Sequence, residues 1–262
     1  MAPSRTAMSP TRLLATDLDG TFIGDDPAMH DLWEDLEASG ITVAFSTGRH
    51  IPSIEQFYRE RHVERRAAAC VCMVGTEVWF YHEGEYHFDR GWSRYISDGW
   101  NKNVVEDILR GFPEIRIQAD EWQSKFKASY YLERNADLTV AEIRQCLEER
   151  EVRAKVIYSA SRFLDLLPYR SGKGGAVRYV ADKLGIQQVT TAGDTGNDLD
   201  MMRADLGFHC IVVGNATEEL RKVDEAHIYL ATADYAAGIR EGLEHFGWLA
   251  GGSAQDSGTA GR

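Results

Sequence analysis

The sequence predicts an α/β fold in which a parallel β-sheet is interrupted by a smaller α+β module. Short apolar runs alternate with amphipathic stretches in the first and last thirds of the chain, which is typical of parallel sheets. The middle third lacks this alternation. The 262 residues allow one large domain and one smaller domain, and 44% hydrophobic with 27% charged residues is the composition of a globular protein.

The first third predicts the order β-α-β-α-β. Apolar runs at 13–16, 41–46 and 69–74 are the strands, and amphipathic stretches at 28–39 and 51–62 are the helices. The last third repeats the pattern, with helices at 172–184, 198–204 and 233–246 and strands at 189–192, 208–213 and 227–230. Together these segments indicate a Rossmann-like parallel sheet core with helices on both faces.

The middle third predicts an inserted α+β cap domain. It begins with a hairpin around Gly84, formed by 78–82 and 86–89. Further segments are a helix at 92–111, strands at 115–119 and 128–132, a helix at 139–150, and strands at 154–159 and 163–167. The predicted division is a core at 11–81 and 169–249, a cap at 82–168, and disordered tails at 1–10 and 250–262.

Charge and cysteine usage exclude several classes of partner. The net charge of −12 disfavours a general nucleic-acid surface, although it permits a small phosphorylated ligand. The four cysteines lack zinc-site spacing, so buried free thiols in a reducing cytoplasm are expected. No stretch reaches the roughly 20 apolar residues that span a bilayer. We therefore expect a cytoplasmic protein with no membrane and no nucleic-acid partner.

Four carboxylates follow two of the predicted strands. Asp17 and Asp19 come after the first strand in DLDGT, and Asp194 and Asp198 come after a later strand in GDTGND. The carboxyl ends of parallel strands meet at one edge of a sheet, where ligands bind. Clustered carboxylates there suit a hard cation such as Mg²⁺. Asx turns and helix N-caps use the same residue types, and that alternative remains open.

A hydroxyl and a lysine are predicted at the same edge. Thr47 ends the second strand in FSTGR, and with its neighbouring backbone N–H groups it can donate to an anion. Lys173 begins a helix in RSGKGGA, which is unfavourable for the helix dipole unless an anion lies nearby. A plain turn and a solvated lysine are the alternatives for these two residues.

In combination and in order, these segments resemble the four motifs of the haloacid dehalogenase-like phosphohydrolases. The resemblance covers the core, and the position of the insertion is similar to the branch with a large cap after the third core strand. It implies that Asp17 is the nucleophile and Asp19 the general acid and base. It implies that Mg²⁺ is held by Asp17, the Asp19 carbonyl, Asp194 and Asp198. The implied phosphate ligands are Thr47, Lys173, Gly20 and Asn197.

Segments of the predicted cap look similar to the sucrose-phosphatase group and its relative, mannosylfructose-phosphate phosphatase. The segments are VGTEV, QSKFKASYYL and DLLPYRSGKGGA. The resemblance implies that a sugar is contacted by Arg49, Glu77, Gln123, Lys127 and Ser129. Alternation on a strand leaves another interpretation open, in which Lys127 and Ser129 lie on a solvated face.

The expected function is hydrolysis of a sugar phosphate monoester, a phosphorylated disaccharide such as sucrose 6-phosphate, through an aspartyl-phosphate. The alternatives are a broad hexose-phosphate phosphatase, a phosphomannomutase-like enzyme, a phosphatase of mannosylfructose phosphate or glucosylglycerol phosphate, and a binding module without catalysis. A monomer or weak dimer is expected, with a glycosyltransferase (synthase) as functional partner.

Overall fold

The computed structural model describes residues 12–250, in which two β-sheets carry the fold. Within these residues the strands are β1 (Arg12–Thr16), β2 (Ile41–Ser46), β3 (Ala69–Cys72), β4 (Glu77–His82), β5 (Glu85–Phe88), β6 (Arg116–Ile117), β7 (Ala128–Tyr131), β8 (Ala154–Ser159), β9 (Phe163–Pro168), β10 (Gln188–Gly193), β11 (His209–Val212) and β12 (Ile228–Leu230). The α-helices are α1 (Asp26–Ala38), α2 (Ile51–Glu60), α3 (Arg90–Ile96), α4 (Lys102–Leu109), α5 (Ala136–Glu149), α6 (Lys173–Leu184), α7 (Glu218–Arg221) and α8 (Tyr235–His245). The predicted tails lie outside the described residues, apart from residue 250.

The large sheet has the strand order β12-β11-β10-β1-β2-β3-β4-β5. Its first six strands in this order are parallel, and β4 and β5 are antiparallel. The register places Thr16, at the end of β1, opposite both Ala192 and Phe45. The carboxyl ends of β1, β2 and β10 therefore lie side by side. The predicted α/β fold with a parallel sheet core is confirmed.

The small sheet is antiparallel, with the order β6-β7-β9-β8. Together with α4 and α5 it forms what we call the inserted module, residues 101–168. The module has an apolar cluster of its own, built from one side of the sheet and the two helices, with Val105, Ile143 and Leu164 fully buried. A separate cluster of buried side chains forms the core between the large sheet and the helices that pack against it.

The hairpin of β4 and β5 belongs to the large sheet, so its predicted placement in the inserted module is wrong. β4 pairs with β3, where Val78 lies opposite Val71. The helix that follows, α3, also buries Trp92 and Ile96 in the larger cluster. The physical reason is that β3 offers unpaired backbone groups, which the hairpin satisfies by extending the sheet.

The predicted helix at 92–111 is two helices, α3 and α4. Gly99 between them has a left-handed φ of +74°, which interrupts the helical path. Asn101 then caps α4, because its side-chain oxygen accepts the backbone N–H of Val104 at 3.4 Å. None of the helices between residues 12 and 250 combines the length and hydrophobicity needed to cross a bilayer.

Candidate active site

The aspartate after β1 lies at the centre of the large sheet. The backbone N–H of Asp17 donates to the carbonyl of Ala192 in β10 at 2.9 Å, so it stays attached to the neighbouring strand. The backbone N–H of Thr47, after β2, donates to Val71 in β3 at 2.8 Å. The strand ends thus bring the polar residues of distant sequence segments to one edge, as the sequence predicts.

Lys173 joins three of the predicted site residues. It is the first residue of α6, and its side chain is fully buried. Its Nζ donates to Asp17 Oδ1 at 2.6 Å, to Asp198 Oδ1 at 2.7 Å and to Asn197 Oδ1 at 3.0 Å. Burial lowers the pKa of Lys173, but the two carboxylates outweigh it and the net pKa is raised. Lys173 is therefore a fixed positive charge beneath the strand ends.

Asp198 organises the loop after β10. Its Oδ2 accepts the backbone N–H groups of Asp194 at 3.0 Å and Thr195 at 3.1 Å. The following turn is a 3₁₀ helix, Gly196–Met201, with Thr195 as its N-cap, and the predicted α-helix at 198–204 is not formed. Because both oxygens of Asp198 already accept hydrogen bonds, its main contact with the site is through Lys173.

Asp194 faces the loop that follows β1. Its Oδ1 accepts the hydroxyl of Thr21 at 3.0 Å. A Cβ on Gly20 would lie 2.4 Å from Asp194 Oδ2, and Gly20 has a φ of +81°. Gly20 is thus required both by its left-handed conformation and by the close approach of the carboxylate.

The three buried or half-buried acids fit a divalent cation. Asp17, Asp194 and Asp198 each have a carboxylate oxygen within 4.8 Å of the others. Burial, followed by Asp198, raises the pKa of Asp194 to about 6, and burial raises the pKa of Asp17 well above its ordinary value. A cation between them would favour the ionised forms, and carboxylate oxygens suit Mg²⁺. The side chain of Asp19 lies outside this cluster.

Asp19 and Arg49 form an ion pair at the rim of the site. Arg49 Nε donates to Asp19 Oδ2 at 2.7 Å and its Nη2 donates to Oδ1 at 2.5 Å. The Asp19 side chain is 56% exposed, in contrast to that of Asp17. Asp19, the predicted general acid, is therefore held toward solvent by Arg49, for which the family resemblance implied a role in sugar binding.

Thr47 is buried, and its Oγ1 accepts the backbone N–H of Arg49 at 3.2 Å. Its carbonyl accepts the N–H of Val74 at 3.0 Å. Val74 has a left-handed φ of +59°, which a β-branched residue rarely adopts. This turn ends β3 at Cys72, before the predicted residue 74, and brings the Val74 side chain to the wall of the site.

A cleft of about 410 Å³ lies between the large sheet and the inserted module. From the large sheet it is lined by Asp17, Asp19, Thr47, Gly48, Arg49, Val74, Thr195 and Asn197. From the module it is lined by Gln118, Trp122, Lys127, Tyr131, Ser159, Ala160, Phe163 and Asp165. The predicted phosphate and metal residues thus lie at one end of a space whose other wall is the module.

A buried ion pair occupies the module side of the cleft. The Nζ of Lys127 lies 3.6 Å from Asp165 Oδ1, and both side chains are at most 10% exposed. The hydroxyl of Ser129 donates to the same Asp165 oxygen at 2.6 Å. Burial lowers the pKa of Lys127, and Asp165 opposes that shift. The sequence predictions did not include Asp165, although a single acid within the apolar run FLDLLP is a signal for it.

Three predicted sugar-binding residues are not among those that line the cleft. Gln123 uses both ends of its amide on the backbone of Ser129, donating at 2.7 Å and accepting at 2.9 Å. Ser129 is fully buried, and Glu77 accepts the indole N–H of Trp79 at 3.1 Å. A sugar hydroxyl would have to replace these internal hydrogen bonds. In the observed arrangement Gln123 and Ser129 support the Lys127–Asp165 pair.

A central parallel strand that ends in two aspartates, beside a buried lysine and a second pair of acids, defines a haloacid dehalogenase-like protein. Residues 10–247 match the family described as Sucrose-6F-phosphate phosphohydrolase, and the chain belongs to that family.

Two curated relatives are each 30% identical to the chain. Sucrose-phosphatase 1 of Nicotiana tabacum aligns with 89% of this chain and 59% of its own length. Mannosylfructose-phosphate phosphatase of Agrobacterium fabrum aligns with 92% of this chain and 98% of its own length. The chain therefore spans about three fifths of the plant relative and nearly all of the bacterial one.

A solved structure supports the same family. The sucrose-phosphatase of Synechocystis sp., in complex with sucrose and phosphate, superposes with a TM-score of 0.83 at 29% identity. The match covers 91% of this chain and 99% of that one. The similarity extends over both sheets, so the inserted module is part of the shared fold.

Proposed function

We propose that this protein is a Mg²⁺-dependent phosphatase that hydrolyses a sugar phosphate monoester. The observation that carries the proposal is the buried Lys173, held between Asp17 and Asp198 where the strand ends meet the cleft. A fixed cation beside a carboxylate that lines the cleft is what phosphoryl transfer to that carboxylate requires, because negative charge develops on the transferring group.

The first step is attack by a carboxylate oxygen of Asp17 on phosphorus. A bond forms between Asp17 and phosphorus, and the bond from phosphorus to the sugar oxygen breaks. Asp19 in its protonated form gives its proton to the leaving oxygen, which departs as the sugar hydroxyl. Before it can transfer this proton, the Asp19 carboxyl must break its ion pair with Arg49, which holds it at the rim of the same cleft.

The second step is hydrolysis of the aspartyl-phosphate. Asp19, now ionised, removes a proton from a water molecule that attacks phosphorus. The bond between Asp17 and phosphorus breaks, which regenerates the Asp17 carboxylate and releases inorganic phosphate. Asp19 is protonated again and can serve the next cycle.

The remaining groups neutralise and orient the phosphoryl group. Thr47 and Lys173 would donate to its non-bridging oxygens, and Asn197 would orient Lys173. Asp17 and Asp194, with the Asp19 carbonyl, would hold the cation. When bound, Mg²⁺ would supply positive charge that stabilises the negative charge of the transferring group. In this proposal Asp198 does not contact the phosphoryl group. It holds Lys173 and the loop backbone in place through hydrogen bonds.

A phosphorylated disaccharide is the proposed substrate, with sucrose 6-phosphate first. The support is the family and the two relatives, one named for sucrose phosphate and one for mannosylfructose phosphate. Mannosylfructose phosphate is also a candidate substrate, because this chain covers 98% of the length of the relative named for it. In the cleft, Lys127 and Asp165 offer a donor and an acceptor to sugar hydroxyls. The predicted roles of Glu77, Gln123 and Ser129 stay predictions.

The test is phosphate release from a panel of phosphate esters in the presence of Mg²⁺. The panel holds sucrose phosphate, mannosylfructose phosphate, glucosylglycerol phosphate, trehalose phosphate and simple hexose phosphates. A preference of about 100-fold for one disaccharide, which is about 2.7 kcal/mol, supports the proposal. A flat profile indicates a broad hexose-phosphate phosphatase, and isomerisation without phosphate release indicates a mutase.

Two variants complete this test. Asp17→Asn should abolish phosphate release, whereas Asp31→Asn, an exposed acid on α1, should retain it. Turnover retained in Asp17→Asn would refute the covalent mechanism. Expression in the cytoplasm, a monomeric or weakly dimeric state and supply of substrate by a glycosyltransferase remain predictions.

A further inference from the structure

The inserted module contacts the segment that carries Lys173 through a lysine side chain of β8, Lys155. The Nζ of Lys155 donates to the carbonyl of Ser171 at 2.5 Å and lies 3.4 Å from Asp200 Oδ1. Ser171 is fully buried and stands two residues before Lys173. This contact lies outside the cleft and takes no part in the mechanism above.

Asp200 holds the same segment through a second contact. Its Oδ2 accepts the backbone N–H of Gly174, the residue after Lys173, at 2.9 Å. Asp200 belongs to the 3₁₀ helix Gly196–Met201, which also carries Asn197 and Asp198. The segment on either side of Lys173 is therefore bound by Lys155 from the module and by Asp200 from the core.

The packing around these contacts leaves little space for movement. A Cβ on Gly172 would lie 2.4 Å from Asp200 Oδ2 and 2.8 Å from the Nζ of Lys155. A Cβ on Gly174 would lie 1.9 Å from the Asp200 carbonyl oxygen. Two glycines are thus needed for Lys155 and Asp200 to reach the backbone beside Lys173.

We propose that Lys155 and Asp200 form a clamp through which the inserted module positions Lys173. Residues 169–172 connect the module to α6, so movement of the module pulls on the backbone next to Lys173. When the module is in the observed place, the clamp aligns the ammonium group with Asp17 and the phosphoryl site. Both are positioning residues, and the inference rests on the proposed phosphatase function.

The geometry explains why a small displacement would matter. The Lys173 ammonium donates to three acceptors at 2.6–3.0 Å, so all three of its N–H groups are engaged. To contact a phosphoryl oxygen it must exchange one of these acceptors, and that exchange depends on where the ammonium group lies. A shift of about 1 Å in a catalytic group can cost about 100-fold in rate. The clamp would therefore make full activity depend on the position of the module.

The test compares Lys155→Met, Asp200→Asn and the double variant. Each single variant should lower kcat/KM by about tenfold to 100-fold and raise the inhibition constant of inorganic phosphate in parallel. The double variant should lose less activity than the product of the two single losses, because both residues hold the same segment and share an ion pair. Lys155→Arg should keep most of the activity, since it retains the charge and a donor.

Two matched controls separate the clamp from general effects of charge. Arg203 pairs with Asp200 and also with Asp205, whose side chain is exposed. Asp205→Asn therefore removes a carboxylate next to Arg203 and leaves Asp200 in place. Lys222→Met breaks an exposed i,i+4 ion pair with Glu218. Both should leave kcat/KM and the phosphate constant within about twofold of the parent, as is usual for exposed pairs.

Two outcomes would overturn the clamp. One is a double variant whose losses multiply, as independent sites do. The other is a lower melting temperature with unchanged kcat/KM and phosphate constant, which marks a purely structural role. If the parent protein releases no phosphate from any ester, the proposed function fails instead. The clamp is then judged by calorimetric titration of inorganic phosphate into the same variants, in which equal affinities would refute it.

Discussion

Replacing Lys173 by Met tests whether this lysine is the charge that makes the acidic site stable. The Lys173 side chain is fully buried, and its ammonium lies 2.6 Å from Asp17 and 2.7 Å from Asp198. Met has a similar length and no charge, so the variant leaves the two carboxylates unpaired. Removal of one partner from a buried ion pair costs about 3–5 kcal/mol.

The expected loss can be expressed as a melting temperature. For a domain of this size, 1 kcal/mol corresponds to about 2–4 °C, so Lys173→Met should lower Tm by about 6–20 °C. Lys183→Met, an exposed lysine in the last turn of the same helix, is the matched control. Its effect should stay within about 1 kcal/mol, the usual size of a helix-dipole contribution.

The loss should depend on pH in a defined direction. Burial raises the pKa of Asp17, and Lys173 opposes this rise, so the variant should have a still higher Asp17 pKa. An acid whose pKa is raised by folding destabilises the protein once it ionises. This cost begins above the unfolded pKa of about 4 and grows with pH. The Tm deficit should therefore be larger near pH 8 than near pH 5.

The assay is scanning calorimetry of parent, Lys173→Met and Lys183→Met at both pH values, with EDTA present to remove divalent cations. A Tm loss equal to that of the control, or one that does not grow with pH, would refute the electrostatic reasoning. In that case Lys173 would contribute packing alone.

Three further predictions concern the same site. Gly20→Ala should cost about 1–2 kcal/mol of stability, because φ is +81° and the Cβ would lie 2.4 Å from Asp194 Oδ2; thermal unfolding measures this, and an unchanged Tm contradicts it. Asp165→Asn should raise KM for the preferred sugar phosphate about tenfold, which is about 1.4 kcal/mol. The inhibition constant of inorganic phosphate should stay the same, because Asp165 pairs with Lys127 and does not face the phosphoryl site. EDTA should abolish phosphate release and added Mg²⁺ should restore it; full activity after dialysis against EDTA would exclude a required divalent cation.

Much of the candidate site could be predicted because its residues follow strand ends. Asp17, Thr47 and Asp194 are each placed by a short apolar run with a strong local pattern. Parallel pairing then brings these ends to one edge whatever lies between them in sequence. The periodicity that predicts the strands therefore also predicts which polar residues meet.

The inserted module was less predictable because its side chains have several possible partners. Gln123 and Ser129 have the polarity expected of sugar contacts, yet both are satisfied by internal hydrogen bonds. Asp165 stands in an apolar run and lies in the cleft. Alternation along a strand divides residues between two faces, but it does not say which face meets the large sheet.

By itself, the sequence determined the parallel-sheet core and the set of acids, hydroxyl and lysine, because these depend on short-range patterns. Only the tertiary structure decided that the β4–β5 hairpin extends the large sheet, that Arg49 pairs with Asp19, and that Lys155 and Asp200 meet beside Lys173. These contacts join residues far apart in the chain. Their formation depends on how complete elements pack, and no local pattern of residues encodes that packing.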